Sequence, residues 1–138
     1  MSRLNVNLSA ETIEWEPWDI YFPGAPACEG ESGGWVKVLR RPDEGTAPGD
    51  GERGWTFLFK WVAYPGKAVR HKAVVPDDSI EEVYMLTGAF GRSSAEEGAY
   101  VYRGRGAPHG AEFGDDFTCV LHYDGPPDII LSYEFVDR

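Results

Sequence analysis

Three histidines occur in this chain of 138 residues, and two of them stand in Gly-punctuated stretches. His71 lies in YPGKAVRHKAVVPDDSIEEVYMLTG, which also carries the adjacent carboxylates Glu81 and Glu82, and His109 closes GAYVYRGRGAPHG. Imidazole and carboxylate side chains hold divalent transition metals, and they also transfer protons near neutral pH. These groups are far apart along the backbone, so they act together only if separate elements carry them to one place.

The elements available for that task read as strands. The length fits one domain with an adequate core. Apolar residues make up 42% and aromatics 14% of the chain, and the 17 Gly and 10 Pro are spread among apolar runs. That distribution points to many short strands joined by turns. Gly34 to Arg40 is a strand, followed by the polar loop RPDEGTAPGDGERG, which is expected to be solvated. From Trp55 to Tyr64, Trp55, Phe57, Phe59, Trp61 and Ala63 share one face, which is the core face. Val69, His71 and Ala73 alternate with Arg70 and Lys72, so His71 faces the same way as Val69. Further strands are expected over Glu81–Thr87, around Ala89–Gly91, over Ala99–Arg103, Phe117–Tyr123 and Ile129–Val136, with an acidic turn at SSAEEG and a Gly/Pro loop at GRGAPHG. About eight short strands without a strong helix predict a sandwich or closed barrel over residues 34–138. Residues 1–33 form an irregular lead-in whose Trp15, Trp18, Tyr21 and Phe22 need burial, on the barrel or on a partner subunit.

Composition also excludes function classes. A formal net charge of −10 without a run of Lys or Arg argues against nucleic acid and anionic membrane as partners. No apolar run is long enough to span a bilayer, and MSRLNVNLSAETIEW lacks the apolar core of a secretion signal, so a cytoplasmic location is expected. Cys28 and Cys119 occur in unrelated contexts and read as reduced structural thiols. No nucleophile motif, phosphate-binding loop or dinucleotide fingerprint is present, and Gly104-Arg105-Gly106 does not open a helix.

Gly66, His71 and Glu81, with six residues between Glu81 and Gly88, followed by Gly98-AYVYR-Gly104-Arg105-Gly106-Ala107-Pro108-His109, resemble the two motifs of the cupin family. More narrowly, WVKVLR, EEVYMLTG, GAYVYRGRGAPHG and HYDGP are similar to ChrR-like cupins and related diketone-cleaving dioxygenases. The resemblance implies an all-β, single-domain jelly-roll barrel holding one divalent metal, Fe2+ first, with Zn2+, Ni2+ or Mn2+ as alternatives. Ala73 stands where the family has its second histidine, so the implied ligands are His71, Glu81 and His109. Glu81 is preferred to Glu82 by its spacing to Gly88 and by the face it shares with Val83 and Met85, while Asp77 and Asp78 follow Pro76 as turn residues.

Two chemistries are compatible with that set. An open-sided iron could bring a diketone or hydroxyketone together with dioxygen and cleave a carbon–carbon bond. Alternatively, a Lewis-acid metal could polarise a carbonyl while Glu82, His122 or a tyrosine such as Tyr102 moves a proton, giving isomerase, cyclase or dehydratase chemistry. His122 alternates with Val120 and Thr118 and is a candidate to point inward, and Tyr84, Tyr100 and Arg103 either line a pocket or simply pack. A non-catalytic, ligand- or metal-sensing barrel is the third reading. A small-molecule substrate and a homodimer are the expected partners.

Overall fold

The computed structural model of the chain describes residues 9–42, 53–90 and 96–138. Its strands are β1 (Glu16–Pro17), β2 (Gly33–Arg40), β3 (Trp55–Val62), β4 (Lys67–Val74), β5 (Glu81–Thr87), β6 (Tyr100–Arg103), β7 (Pro108–Phe113), β8 (Phe117–Tyr123) and β9 (Ile129–Asp137). They form two antiparallel sheets, ordered β1-β2-β3-β8-β5-β6 and β7-β4-β9. Among the described residues the helical structure is limited to two 3-10 turns, Ala10–Thr12 and Trp18–Ile20, and no helix is long and apolar enough to cross a membrane.

Strand alternation decides which side chains meet between the sheets. Phe57, Phe59 and Trp61 of β3 are buried, as are Phe117, Cys119, Leu121 and Tyr123 of β8. From the smaller sheet, Val69, His71 and Ala73 of β4, Phe113 of β7 and Ile130 of β9 face them. Phe113 joins the layers, with its ring 5.1 Å from that of Trp61 and 4.9 Å from that of Phe117.

The lead-in contributes to this core directly. The Trp18 indole contacts Phe59 and Trp61 of the larger sheet and His71 and Phe113 of the smaller one, and its Nε1 donates to the Pro26 carbonyl at 3.1 Å. Gly34 makes room for it, because a Cβ there would lie 2.7 Å from the indole. Phe22 packs on Phe57 and Tyr123, and Tyr21 on Trp55 and Phe57. Trp15 stays half-buried beneath the ammonium groups of Lys37 and Lys60.

Two expectations are corrected. The segment following Gly106 is not all loop: residues 108–113 form β7, paired to β4 from Val69↔Phe113 to Val74↔Pro108. Pro108 is tolerated because it is the first residue of the strand, and Gly110 because its missing side chain would otherwise strike the His71 carbonyl oxygen at 2.4 Å. Conversely, Ala89 and Phe90 form no strand. Gly88, at φ +73°, turns the chain against Asp116, and Phe90 buries its ring on Phe113 and Phe117. Gly91, most of the loop expected over residues 41–54 and the first half of the SSAEEG turn lie outside the described residues.

Candidate metal centre

Directly opposed residues of an antiparallel pair share a face. In the larger sheet Glu81 opposes Arg103 on one side and Tyr123 on the other, so β6, β5 and β8 place a guanidinium, a carboxylate and a phenol in one inward row. Glu81 is 3% exposed. Arg103 Nη1 donates to its Oε1 and the Tyr123 hydroxyl to its Oε2. The neighbouring Glu82, by the same alternation, points outward and accepts from the Tyr100 hydroxyl at 2.6 Å.

From the smaller sheet comes His109, on β7. Its Nδ1 donates to the Ala107 carbonyl at 3.3 Å, which leaves Nε2 facing Asp128 Oδ2 at 2.9 Å and Glu81 Oε1 at 3.8 Å. Asp128, buried at 5% exposure, immediately precedes β9. Strands β7 and β9 lie on opposite sides of β4, so a contact between their side chains must cross that strand, a span of about 10 Å between backbones. The inward residue of β4 paired with His109 on one side and with Ile130 on the other is Ala73. Its small, buried side chain leaves this part of β4 without a bulky group beside His109.

One donor atom each from Glu81, His109 and Asp128 lies within 4.8 Å of the others. His71 lines the same cavity, which has a volume of about 40 Å3 and is walled by Phe59, Val83, Phe90, Phe113 and Leu121. Its ring stands 4.6 Å from that of Phe113 and hydrogen-bonds the backbone of Ala111, and it is outside the three-residue cluster.

Burial and mutual charge set the protonation of the group. Burial, reinforced by the charges of His109 and Arg103, lowers the His71 pKa to about 4. Burial also pushes Asp128 up to about 7, against the pull of its hydrogen bond to His109 and with the Glu81 charge adding to the rise. Burial would raise Glu81 too. There, however, the hydrogen bond to Asp128, the Arg103 and His109 charges and the Tyr123 hydroxyl win, and the carboxyl lies below its ordinary value. At His109 burial opposes the charged form, but the bond to Asp128 and the charges of Asp128 and Glu81 outweigh it, so its pKa is raised. The cluster therefore favours an ionised Glu81, an Asp128 whose pKa is pushed up to about 7 and the protonated form of His109.

Such a cluster fits a divalent cation. A carbonyl partner on Nδ1 fixes the tautomer that leaves Nε2 as donor, the usual support of a metal-bound imidazole. Asp128 Oδ1 and His71 Nδ1 are buried without hydrogen-bond partners among the described residues. A mixed nitrogen and oxygen donor set suits iron, manganese, zinc or nickel. An ion would displace any proton held by Asp128 or by His109 Nε2, and Arg103 would share Glu81 with it.

Of the residues singled out from sequence, Glu81 and His109 come together and His71 joins them as a wall of the cavity. His122 is corrected in orientation. The inward residues of β8 are Phe117, Cys119, Leu121 and Tyr123, so His122 lies on the outer face, with Nδ1 3.0 Å from Thr56 Oγ1. Tyr102, opposite Glu82, is 58% exposed on that outer face as well. Asp128 was not expected. Its only sequence signal is an acid placed just before the last apolar strand, in GPPDIIL.

No protein-family model matches the chain, and no curated protein matches it. Solved structures do. A candidate acetylacetone dioxygenase from Methylibium petroleiphilum aligns with a TM-score of 0.60 and 16% identity over 93% of this chain and 81% of its own. The polyketide cyclase RemF of Streptomyces resistomycificus aligns with a TM-score of 0.52 and 15% identity over 97% and 85%. A deletion mutant of Bacillus subtilis oxalate decarboxylase gives 0.53 and 16% over 92% of this chain, which spans 32% of that larger one. At these identities the likeness concerns the fold, and it is the all-β cupin jelly roll that the sequence motifs implied.

Proposed function

We propose that the chain is a metal-dependent cupin enzyme acting on a small oxygenated organic molecule, and that its reaction is dioxygenase cleavage of a diketone or hydroxyketone. The observation that carries this reading is the convergence of Glu81, His109 and Asp128 at one end of a small, aromatic-walled cavity. Glu81 and His109 would hold the ion with Asp128 as third donor, and His71, with its unpartnered Nδ1, stands by as a fourth. Iron(II) there supplies a site at which substrate and dioxygen react as neighbours rather than by collision. Tyr123 and Arg103 orient the Glu81 carboxylate, the Ala107 carbonyl orients His109, and Phe59, Phe90, Phe113 and Leu121 keep bulk water away. The narrower likeness to ChrR-like and diketone-cleaving cupins, carried by the motif residues, supports the choice of substrate class, as does the name of the dioxygenase neighbour.

A second reading rests on a different observation. Asp128 is a buried acid whose pKa is raised to about 7, next to an ionised carboxylate. That is the pairing of an acid with a base that proton-transfer catalysis uses. In an isomerase, cyclase or dehydratase, Asp128 takes the proton-transfer role considered for Glu82, His122 and Tyr102, all of which face away from the cavity.

Metal analysis of the purified protein, followed by anaerobic loading with Fe2+ and oxygen-electrode measurement with acetylacetone, separates the readings. Stoichiometric iron and diketone-dependent oxygen uptake are expected. Tight binding of zinc or nickel with no oxygen uptake would favour the proton-transfer reading, and failure of any divalent metal to bind would remove both.

A further inference from the structure

The cavity has one permanent cation in its wall. Arg103 ends β6, the edge strand of the larger sheet, and its side chain is 19% exposed where that of Glu81 is 4% exposed. Solvent therefore reaches the guanidinium before it reaches the carboxylate. The charged head lies between the sheets, because its Nη1 donates to the buried Oε1 of Glu81 and it lines the same cavity as His71 and His109 of the opposite layer. A guanidinium has five N–H groups in a planar fork. Among the described residues Arg103 spends one of them, in the Nη1 bond to Glu81 Oε1.

Charge balance gives those unspent donors a purpose. With a divalent ion held by two ionised carboxylates and a neutral imidazole, the guanidinium leaves the site with one surplus positive charge in a low-dielectric cavity, a condition that favours one negative charge on whatever enters. Apart from the cluster, His71 and the already hydrogen-bonded Tyr123 and Trp18, the wall is apolar, with Phe59, Val83, Phe90, Phe113 and Leu121 among its residues, and Arg103 is its fixed positive charge. We infer that Arg103 is the substrate-anchoring residue, holding Glu81 with one N–H and receiving the carboxylate of a short oxo- or hydroxy-acid with the others. The substrate class of the proposed enzyme is thereby narrowed, among small oxygenated organic molecules, to those that carry a carboxylate beside the ketone or hydroxyl group. The inference rests on the proposed metal-dependent reading for the cation and on the fork geometry for the anion. Arginine is suited to this double task, since its planar fork serves two oxygen acceptors at once, which a lysine ammonium does less well.

The test uses the Zn2+-loaded protein, which cannot turn over by redox chemistry, and two probes of equal size, pyruvate and neutral pyruvamide, titrated by calorimetry. Pyruvate is expected to bind about tenfold or more tightly than pyruvamide, the scale of a charge-assisted hydrogen bond. In Arg103→Gln that preference should vanish, by loss of pyruvate affinity with pyruvamide unchanged, while Arg103→Lys should keep part of it. Equal affinities in the wild type, or an undiminished pyruvate preference in Arg103→Gln, would overturn the inference. Zinc content, measured on the same samples, reports separately on the metal reading. An Arg103-dependent preference for pyruvate in protein that retains no zinc would sustain the anchor and remove the metal, and full zinc without the preference would do the reverse. Thermal melting of each variant identifies one that has failed to fold, in which case the Lys variant alone decides: a preference undiminished from the wild type refutes the anchor, and a reduced one supports it.

Discussion

Asp128→Asn should change the pH dependence of stability in a way that the buried charges dictate. Consider the protein in chelator between pH 4.5 and 6.5. His71 has a folded pKa of about 4 against an ordinary 6.5, so in this window it is neutral when folded and protonated when unfolded. Unfolding then takes up a proton, and stability rises with pH. Asp128 behaves oppositely: with a folded pKa of about 7 against 3.8, it keeps its proton when folded and loses it when unfolded, so stability falls as pH rises. Each effect is worth about 1.4 kcal/mol per pH unit, and in the wild type they cancel. With Asn at 128 the amide can still donate to Glu81, the falling contribution disappears, and the His71 rise stands alone. Across two pH units, with the slope fading as the unfolded histidine nears 6.5, that amounts to about 2 kcal/mol, or roughly 7 °C in Tm for a chain of this size. Thermal denaturation followed by circular dichroism, in EDTA at half-unit pH steps, should give a nearly flat wild-type profile and a rising one for the variant. Parallel profiles would refute the assignment of a protonated Asp128 facing a neutral His71.

His109→Ala removes the nitrogen donor from the cluster and should abolish stoichiometric metal retention, measured by plasma mass spectrometry after gel filtration; unchanged metal would exclude His109 as a ligand. Ala73→Leu should separate His109 from Asp128 by filling the space above β4, lowering metal affinity at least tenfold at an overpacking cost of about 1–3 kcal/mol in stability, both measurable by competition with a fluorescent chelator and by urea denaturation. Trp18→Ala should cost about 3–5 kcal/mol, because it empties a site touching both sheets and strands the Pro26 carbonyl, and it should shift the urea midpoint without altering which metal binds. A homodimer is the proposed assembly, and sedimentation as a monomer at micromolar concentration would reject it.

Much of this architecture is written locally. The alternation in WTFLFKW is enough to assign β3 and its buried face, and EEVYMLT places Glu81 inward because Val83 and Met85 lie two and four residues on. His109 is legible through the glycine spacing that precedes it, which resembles the second cupin motif, while the strand that carries it is not. His122 was misjudged because Thr118 and Val120 are compatible with either face of a strand, and β8 is decided instead by the larger rings of Phe117 and Tyr123. β7 was hidden by Pro108 and Gly110, residues that weaken local strand preference and are accommodated here by position and by close approach to β4.

Asp128 was out of reach for a different reason, and that reason bears on how the site works. A carboxylate in GPPDIIL has no local pattern to mark it, since its role arises from three strands at once: β9 brings it alongside β4, β7 brings His109 to the other side, and Ala73 leaves the gap between them open. With Ala73 where the resembled motif has a histidine, the proposed third donor comes from outside that motif. As a ligand in the proposed centre, Asp128 would bring a second carboxylate beside Glu81. The guanidinium of Arg103 lies where it compensates that added negative charge, paired to Glu81 and within the field of His109. Under the proposed metal reading the three positions are expected to act together, Asp128 as third donor, Ala73 as a small neighbour of His109 on β4 and Arg103 as the charge that offsets the carboxylates.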